Sequence, residues 1–173
     1  MFLDIETTST KGDTGQITAI GIIKNGKTEV KFAERPENEK EVLEWFRKEL
    51  INCDVVVTWF GSGFDIPYIL SRAVINGIDL HEFVQIRSLD LCRFCQKYFS
   101  LAKYSLSEVA KSFGIQKNIE INWKDMLALY IKATGGNKKA KEMIIEHCKD
   151  DLNALKKICE KLEPYFSLIT TNR

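Results

Sequence analysis

Several things are scarce in this sequence of 173 residues, and each scarcity removes a class of function. No apolar run approaches the roughly 20 residues that a membrane-spanning helix requires. Surplus charge of either sign is missing: 25 Lys and Arg stand against 24 Asp and Glu, for a net charge of +1. That balance excludes a histone-like arm or a polybasic tail that acts through bulk charge. Evenly paired cysteines are missing too, since Cys53, Cys92, Cys95, Cys148 and Cys159 make an odd number. No charged and apolar leader opens the chain, because Asp4 and Glu6 interrupt it at once. A secreted disulfide scaffold is therefore excluded, and a soluble, cytoplasmic protein with no membrane partner is expected. Three prolines and ten glycines, spread out, mark turns and no linker, so one domain over 1–173 is expected, with 45% hydrophobic residues to fill its core.

What is present is uneven. Residues 1–90 carry 10 basic and 15 acidic side chains, whereas residues 91–173 carry 15 and 9. FLDIETT reads as a short strand, and QITAIGIIKNGKTEVKFAE as two β-rich runs around the hairpin signal Asn25-Gly26, so three early antiparallel strands are expected. From Pro36, Val42, Leu43, Trp45, Phe46 and Leu50 fall at helical spacings. DVVVTWF is β-branched and apolar, and a helical pattern follows it, with Asp65 placed to cap and Pro67 in the first turn. A strand followed by a helix implies a crossover into a parallel strand, which makes the fold α/β with a mixed sheet. The second half reads as helical. LDLCRFCQKYF is amphipathic, which makes Cys92 and Cys95 buried thiols in preference to half of a zinc site. Ser105 to Glu108 forms a capping box for a helix that Gly114 closes, Trp123 opens another helix, and a long last helix runs from about Lys138 to Lys161.

Asp4 and Glu6 lie two apart on a strand and so share one face. Two readings remain for such a pair: a solvated edge strand, or acids held together by a cation. Asp65 follows the carboxyl end of a strand, where α/β sheets place their sites, although plain helix capping would also explain it. Gly61-Ser62-Gly63 lacks the lysine of a phosphate-binding loop and reads as a tight turn that lets a ligand approach. On the last helix His147 and Asp151 are one turn apart beside the apolar stripe, with Asp150 directed to solvent.

These segments, FLDIETT, TWFGSGFDIPYI and EHCKDDLNAL, resemble in order and separation the three motifs of the DEDD superfamily of 3′-5′ exonucleases, which have a ribonuclease H-like fold. The likeness extends to the proofreading domain of family B DNA polymerases and covers residues 1 to about 163. It implies a central mixed sheet, three antiparallel strands followed by parallel ones, flanked by helices. It also implies that Asp4, Glu6, Asp65 and Asp151 hold two divalent ions, Mg²⁺ or Mn²⁺, hard cations that take oxygen ligands and clamp the attacking and leaving oxygens of a phosphodiester. Asp4 would bridge both ions, and His147 would orient or deprotonate the water. Here a histidine stands at the spacing where one subgroup has tyrosine, and the second motif has Trp59-Phe60-Gly61-Ser62 where an asparagine is common.

The substrate implied is a single-stranded DNA or RNA 3′ end, met by Thr7, Trp59, Phe60, Ser62 and Phe64, where an exposed ring could stack on a base. Core packing is the competing role, favoured for Phe64 and Tyr68 and open for Trp59 and Phe60. Lys138, Lys139, Lys141, Lys149, Lys156 and Lys157 could add phosphate contacts or form a solvated face. A catalytically weak nucleic-acid-binding or polymerase-partner module, and a ribonuclease H-like endonuclease, are the alternatives.

Overall fold

A computed structural model describes residues 1–166, apart from the side chain of Trp123; residues 167–173 of the expected domain lie outside the described residues. Five strands form one sheet in the order β3-β2-β1-β4-β5. They are β1 (Phe2–Thr7), β2 (Ile17–Lys24), β3 (Lys27–Phe32), β4 (Val55–Thr58) and β5 (Arg87–Asp90). The first three are antiparallel, while β4 joins β1 in parallel and β5 joins β4 in parallel, as expected of the mixed sheet. Asn25 and Gly26 turn β2 into β3 with φ of +51° and +78°, the left-handed pair that a two-residue hairpin needs.

The acidic strand is central, not an edge. Leu3 and Ile5 point to one face, where they meet Ile20, Ile22 and, from helix α1 (Glu39–Glu49), Val42, Leu43 and Phe46. Asp4 and Glu6 point to the other face, which helix α7 (Lys138–Leu162) crosses. The solvated-edge reading of the pair is thus overturned: β2 and β4 flank β1, and Glu6 is buried. Helix α7 can approach closely because residue 21, opposite Asp4 in the β1–β2 register, is glycine; a Cβ there would lie 2.4 Å from the Cys148 sulfur. Ile144, Cys148, Leu152, Leu155 and Ile158 form the expected buried stripe.

Three shorter helices follow the β-rich half: α2 (Asp65–Ile75), α3 (His81–Gln85) and α4 (Leu91–Tyr98). Helices α5 (Leu106–Ser112) and α6 (Trp123–Thr134) then lead into α7. The run expected to be helical from Leu89 begins with the last two residues of β5, and Asp90 is the N-cap of α4, accepting the Arg93 N–H. Cys92 and Cys95 are buried free thiols, as their place on an amphipathic helix predicts. Ser105 is the N-cap of α5, with the Glu108 N–H donated to its hydroxyl, but the Glu108 carboxylate faces Lys103, so only half of the expected capping box is made; Gly114 ends that segment at φ of +69°. Among the described residues, no helix is long and apolar enough to cross a membrane.

Candidate active site

Three elements bring the four acids together. Asp4 and Glu6 come from β1, and the β1–β2 register shifts just past them, between Glu6 and Thr7, where Thr18 of β2 is the extra residue. Asp65 does not cap α2: Phe64 holds the N-cap position, and no side-chain cap bond forms there. Its carboxyl instead lies by the backbone of Ile5 in β1, which favours its charged form against burial. Asp151 and His147 reach in from α7.

The electrostatics of the group are unbalanced. Burial, then the charges of Asp151, Glu6 and Asp65, push the Asp4 carboxyl well above the carboxylate range, with the Cys148 thiol opposing by a hydrogen bond. Glu6 rises well above its usual value through burial and Asp151, opposed by Lys117. Burial lifts Asp65 to about 7, with Asp90 adding to the rise. Asp151 rises through burial despite His147 and Lys117. His147 is pushed down, chiefly by burial, so its neutral form is favoured. One Asp4 oxygen, Oδ2, is buried without a hydrogen-bond partner. Asp4, Glu6 and Cys148 offer ligand atoms within 4.8 Å of one another. Burial pushes the Cys148 thiol well up, so it stays protonated, and the orphaned Asp4 oxygen beside the Glu6 carboxyl is what fits a hard divalent cation.

Two participants carried no recognisable signal. Lys117, between α5 and α6, is buried and places its ammonium 2.8 Å from Asp151 Oδ1, so the cluster has one cation of its own. Its neighbours are held by Asp150, whose Oδ2 accepts the N–H groups of Asn118 at 2.7 Å and Ile119 at 2.9 Å. Asp150 is therefore a clamp, where the sequence reading directs it to solvent. The clamped segment in turn presents the Ile119 carbonyl to His147 Nδ1 at 3.3 Å. A carbonyl can only accept, so neutral His147 carries its proton on Nδ1 and has a free Nε2 lone pair, 3.7 Å from Glu6 Oε1.

The five expected nucleic-acid contacts divide. Thr7 and Phe64 line a cleft of about 160 Å³ together with Glu6, His147, Ile121 and Met126. Phe60 is 36% exposed. Trp59 is half-buried and donates its indole N–H to the Tyr104 carbonyl at 3.1 Å, and the Ser62 hydroxyl donates to Asp90. Tyr68 is buried, as core packing predicts. Three of the helix lysines face carboxylates, Lys141 with Glu34, Lys149 with Glu146 and Lys156 with Glu160.

A family model described as RNase_H superfamily (RNase_H_2) matches residues 1–163. The chain belongs to the RNase H superfamily. A DNA polymerase of Methanocaldococcus jannaschii is 32% identical over 101 residues, 47% of this chain and 6% of that polymerase. The family B DNA polymerase of the hyperthermophilic archaeon Pyrobaculum calidifontis superposes with a TM-score of 0.83 at 20% identity, over 95% of this chain and 24% of that one. The chain thus spans a small part of either polymerase, and what it shares with the second is the fold. Membership in the RNase H superfamily supports a nuclease type of function acting on nucleic acid.

Proposed function

We propose that this RNase H superfamily member is a metal-dependent 3′-5′ exonuclease that hydrolyses phosphodiester bonds at single-stranded DNA or RNA 3′ ends. The convergence of four carboxylates, Glu6 and Asp65 buried, Asp4 and Asp151 half-buried, with one Asp4 oxygen lacking any partner, is the observation that carries the reading. Like charges gathered on one face of a sheet are costly to a fold unless a cation joins them. Asp4, Glu6, Asp65 and Asp151 would hold two ions, Mg²⁺ or Mn²⁺. When bound, such ions supply positive charge against the phosphate and lower the pKa of a coordinated water.

The chain's own groups do the rest. His147, with Nδ1–H directed at the Ile119 carbonyl, has Nε2 available to take a proton from water beside Glu6. Water, giving a proton to His147, attacks phosphorus; the bond from phosphorus to the 3′-oxygen of the preceding nucleotide breaks, that oxygen takes a proton from solvent, and a nucleoside 5′-monophosphate is released. The cleft beside Glu6 and His147, with Thr7 and Phe64 in its wall, would receive the end of the strand. The 3′ polarity is supported by the motif resemblance and by the similarity to DNA polymerases.

The test is a 5′-labelled DNA or RNA oligonucleotide incubated with Mg²⁺ or Mn²⁺. A ladder of progressively shorter labelled fragments, abolished by EDTA, is expected. Discrete internal cuts would replace this reading with an endonuclease, and tight binding without cleavage in either metal would replace it with a binding module. His147→Ala should lower the rate by about 10²-fold or more at saturating metal, and a rate within about twofold of wild type would remove His147 from the proton-transfer role.

A further inference from the structure

Phe60 lies outside the acid cluster and is built in an unusual way. Its φ is +59°, in the left-handed region that bulky residues rarely adopt. Burial does not hold it there, since the residue is 36% exposed. Asp90, at the end of β5, does. Its Oδ1 accepts the Phe60 N–H at 3.0 Å, and its Oδ2 accepts the Ser62 N–H at 3.1 Å together with the Ser62 hydroxyl. The Phe60 carbonyl closes the turn by accepting the N–H groups of Gly63 at 2.9 Å and Phe64 at 3.0 Å. The ring lies across Gly63, where a Cβ would come within 2.5 Å of it. Exposed Arg93 places its guanidinium carbon 4.6 Å from the ring centroid.

Backbone strain persists where surrounding structure over-determines it, and it clusters at ligand clamps. Here a carboxylate frame fixes the strained residue, yet the product is not a packed core but an exposed aromatic residue with an exposed guanidinium stacked over its ring. Aromatic rings and guanidinium planes are the two side-chain surfaces on which unpaired bases stack, and the guanidinium adds attraction for the backbone phosphate. The place is also informative. Phe60 begins the tight turn that ends at Asp65, so the displayed ring is separated from the acid cluster by that turn alone.

We propose that Phe60 and Arg93 form a preset stacking platform for one unpaired base of a single-stranded nucleic acid, on the Asp65 side of the acid cluster. The platform rests on the nucleic-acid reading of that cluster but not on cleavage. It makes single-stranded substrate bind better than blunt duplex, whose bases are already stacked, with little dependence on base identity.

The test uses the full chain and a 5′-fluorescein-labelled oligothymidylate, with binding followed by fluorescence anisotropy in EDTA and in Ca²⁺, and cleavage scored separately in Mg²⁺ and Mn²⁺. Phe60→Gly should weaken binding by about tenfold and Arg93→Gln by less, while blunt duplex binding stays the same. Glycine accepts the φ of +59°, so Phe60→Gly should melt at the same temperature as wild type or higher. An abasic nucleotide walked along the strand should weaken wild-type binding at one position, and that penalty should vanish in Phe60→Gly. If the wild type cleaves, KM should rise in Phe60→Gly while kcat stays within about twofold. Binding that falls in a protein that never cleaves would sustain the platform and overturn the exonuclease reading. Cleavage with affinity and KM unchanged by Phe60→Gly would do the reverse. Failure of the wild type to bind in either condition, or a lower melting temperature with unchanged affinity, would overturn the platform and make Phe60 a packing residue.

Discussion

Buried carboxylates occur in two parts of this fold, and their surroundings treat the charge in opposite ways. Behind the sheet, Glu39 at the start of α1 meets a complete set of donors. Its Oε1 accepts from the Ile17 N–H at 2.8 Å and Arg72 Nε at 2.8 Å, while Oε2 accepts from Arg72 Nη2 at 2.6 Å and Asn76 Nδ2 at 3.1 Å. One negative charge faces one positive charge, and the pair joins β2, α1 and α2. On the other face, Asp4, Glu6, Asp65 and Asp151 have Lys117 and a neutral-leaning His147 between them. The first group is closed and explains itself as structure. The second is short of positive charge, and a fold tolerates such a deficit when something else is to supply the balance.

The sharpest way to break this contrast is to remove one acid from each place. Asp4→Ala should lower metal-dependent cleavage of a labelled oligonucleotide by roughly 10³-fold, since Lewis-acid stabilisation is worth several kcal/mol. Its thermal stability in EDTA should stay level or rise, because one of several mutually repelling carboxyls is gone. Equal loss of stability and activity would mean that Asp4 is structural. Arg72→Met should behave in the opposite sense. Leaving Glu39 buried without its partner should cost about 3–5 kcal/mol in urea unfolding, with activity per folded molecule retained. A cost below about 1 kcal/mol would show that the Glu39 network is no firmer than a surface pair.

The same contrast explains what could be read in advance. Alternation along FLDIETT put Asp4 and Glu6 on one face, Asn25-Gly26 announced the hairpin, and the apolar stripe on α7 set His147 and Asp151 at the margin of the core. Each of those signals is local, with a period of two residues, one turn, or 3.6 residues. What escaped depends on partners far along the chain. Lys117 becomes part of the cluster only because Asp150, over 30 residues later, clamps Asn118 and Ile119. Gly21 matters only because Cys148 packs against it. β5 is four residues long with Arg87 and Ser88 exposed, so it had neither the apolar alternation nor the length that marks a strand.

Acidity gives a broader test. The four carboxyls of the cluster hold protons in the folded chain that the unfolded chain has already released, so stability without metal should fall as pH rises. For Asp65 the loss accumulates between its ordinary 3.8 and about 7. By linkage that is roughly 4 kcal/mol, or on the order of 10 °C in melting temperature. His147 opposes weakly, since its depressed value removes stability only as pH falls through its ordinary 6.5. Melting in EDTA should therefore drop between pH 5 and pH 8, and Mg²⁺ or Mn²⁺ should recover most of the drop at pH 8 and little at pH 5. A melting temperature that is flat with pH, or equal metal stabilisation at both, would mean that the deficit of positive charge is not felt by the fold.

Lys117 offers the finest probe, because it is the only ammonium paired with these acids among the described residues. Lys117→Met keeps the length of the side chain and removes the charge. Without metal, Asp151 and Glu6 lose the cation that opposes their rise, so at pH 8 the variant should be less stable by about 1–3 kcal/mol, and at lower pH, where the raised carboxyls carry less charge, by less. Added Mn²⁺ should then raise its melting temperature by more than it raises that of wild type, because the ion meets a larger uncompensated charge. A smaller gain would show that Lys117 positions Asp151 for the ion, and that the ammonium assists binding where it would otherwise compete with it.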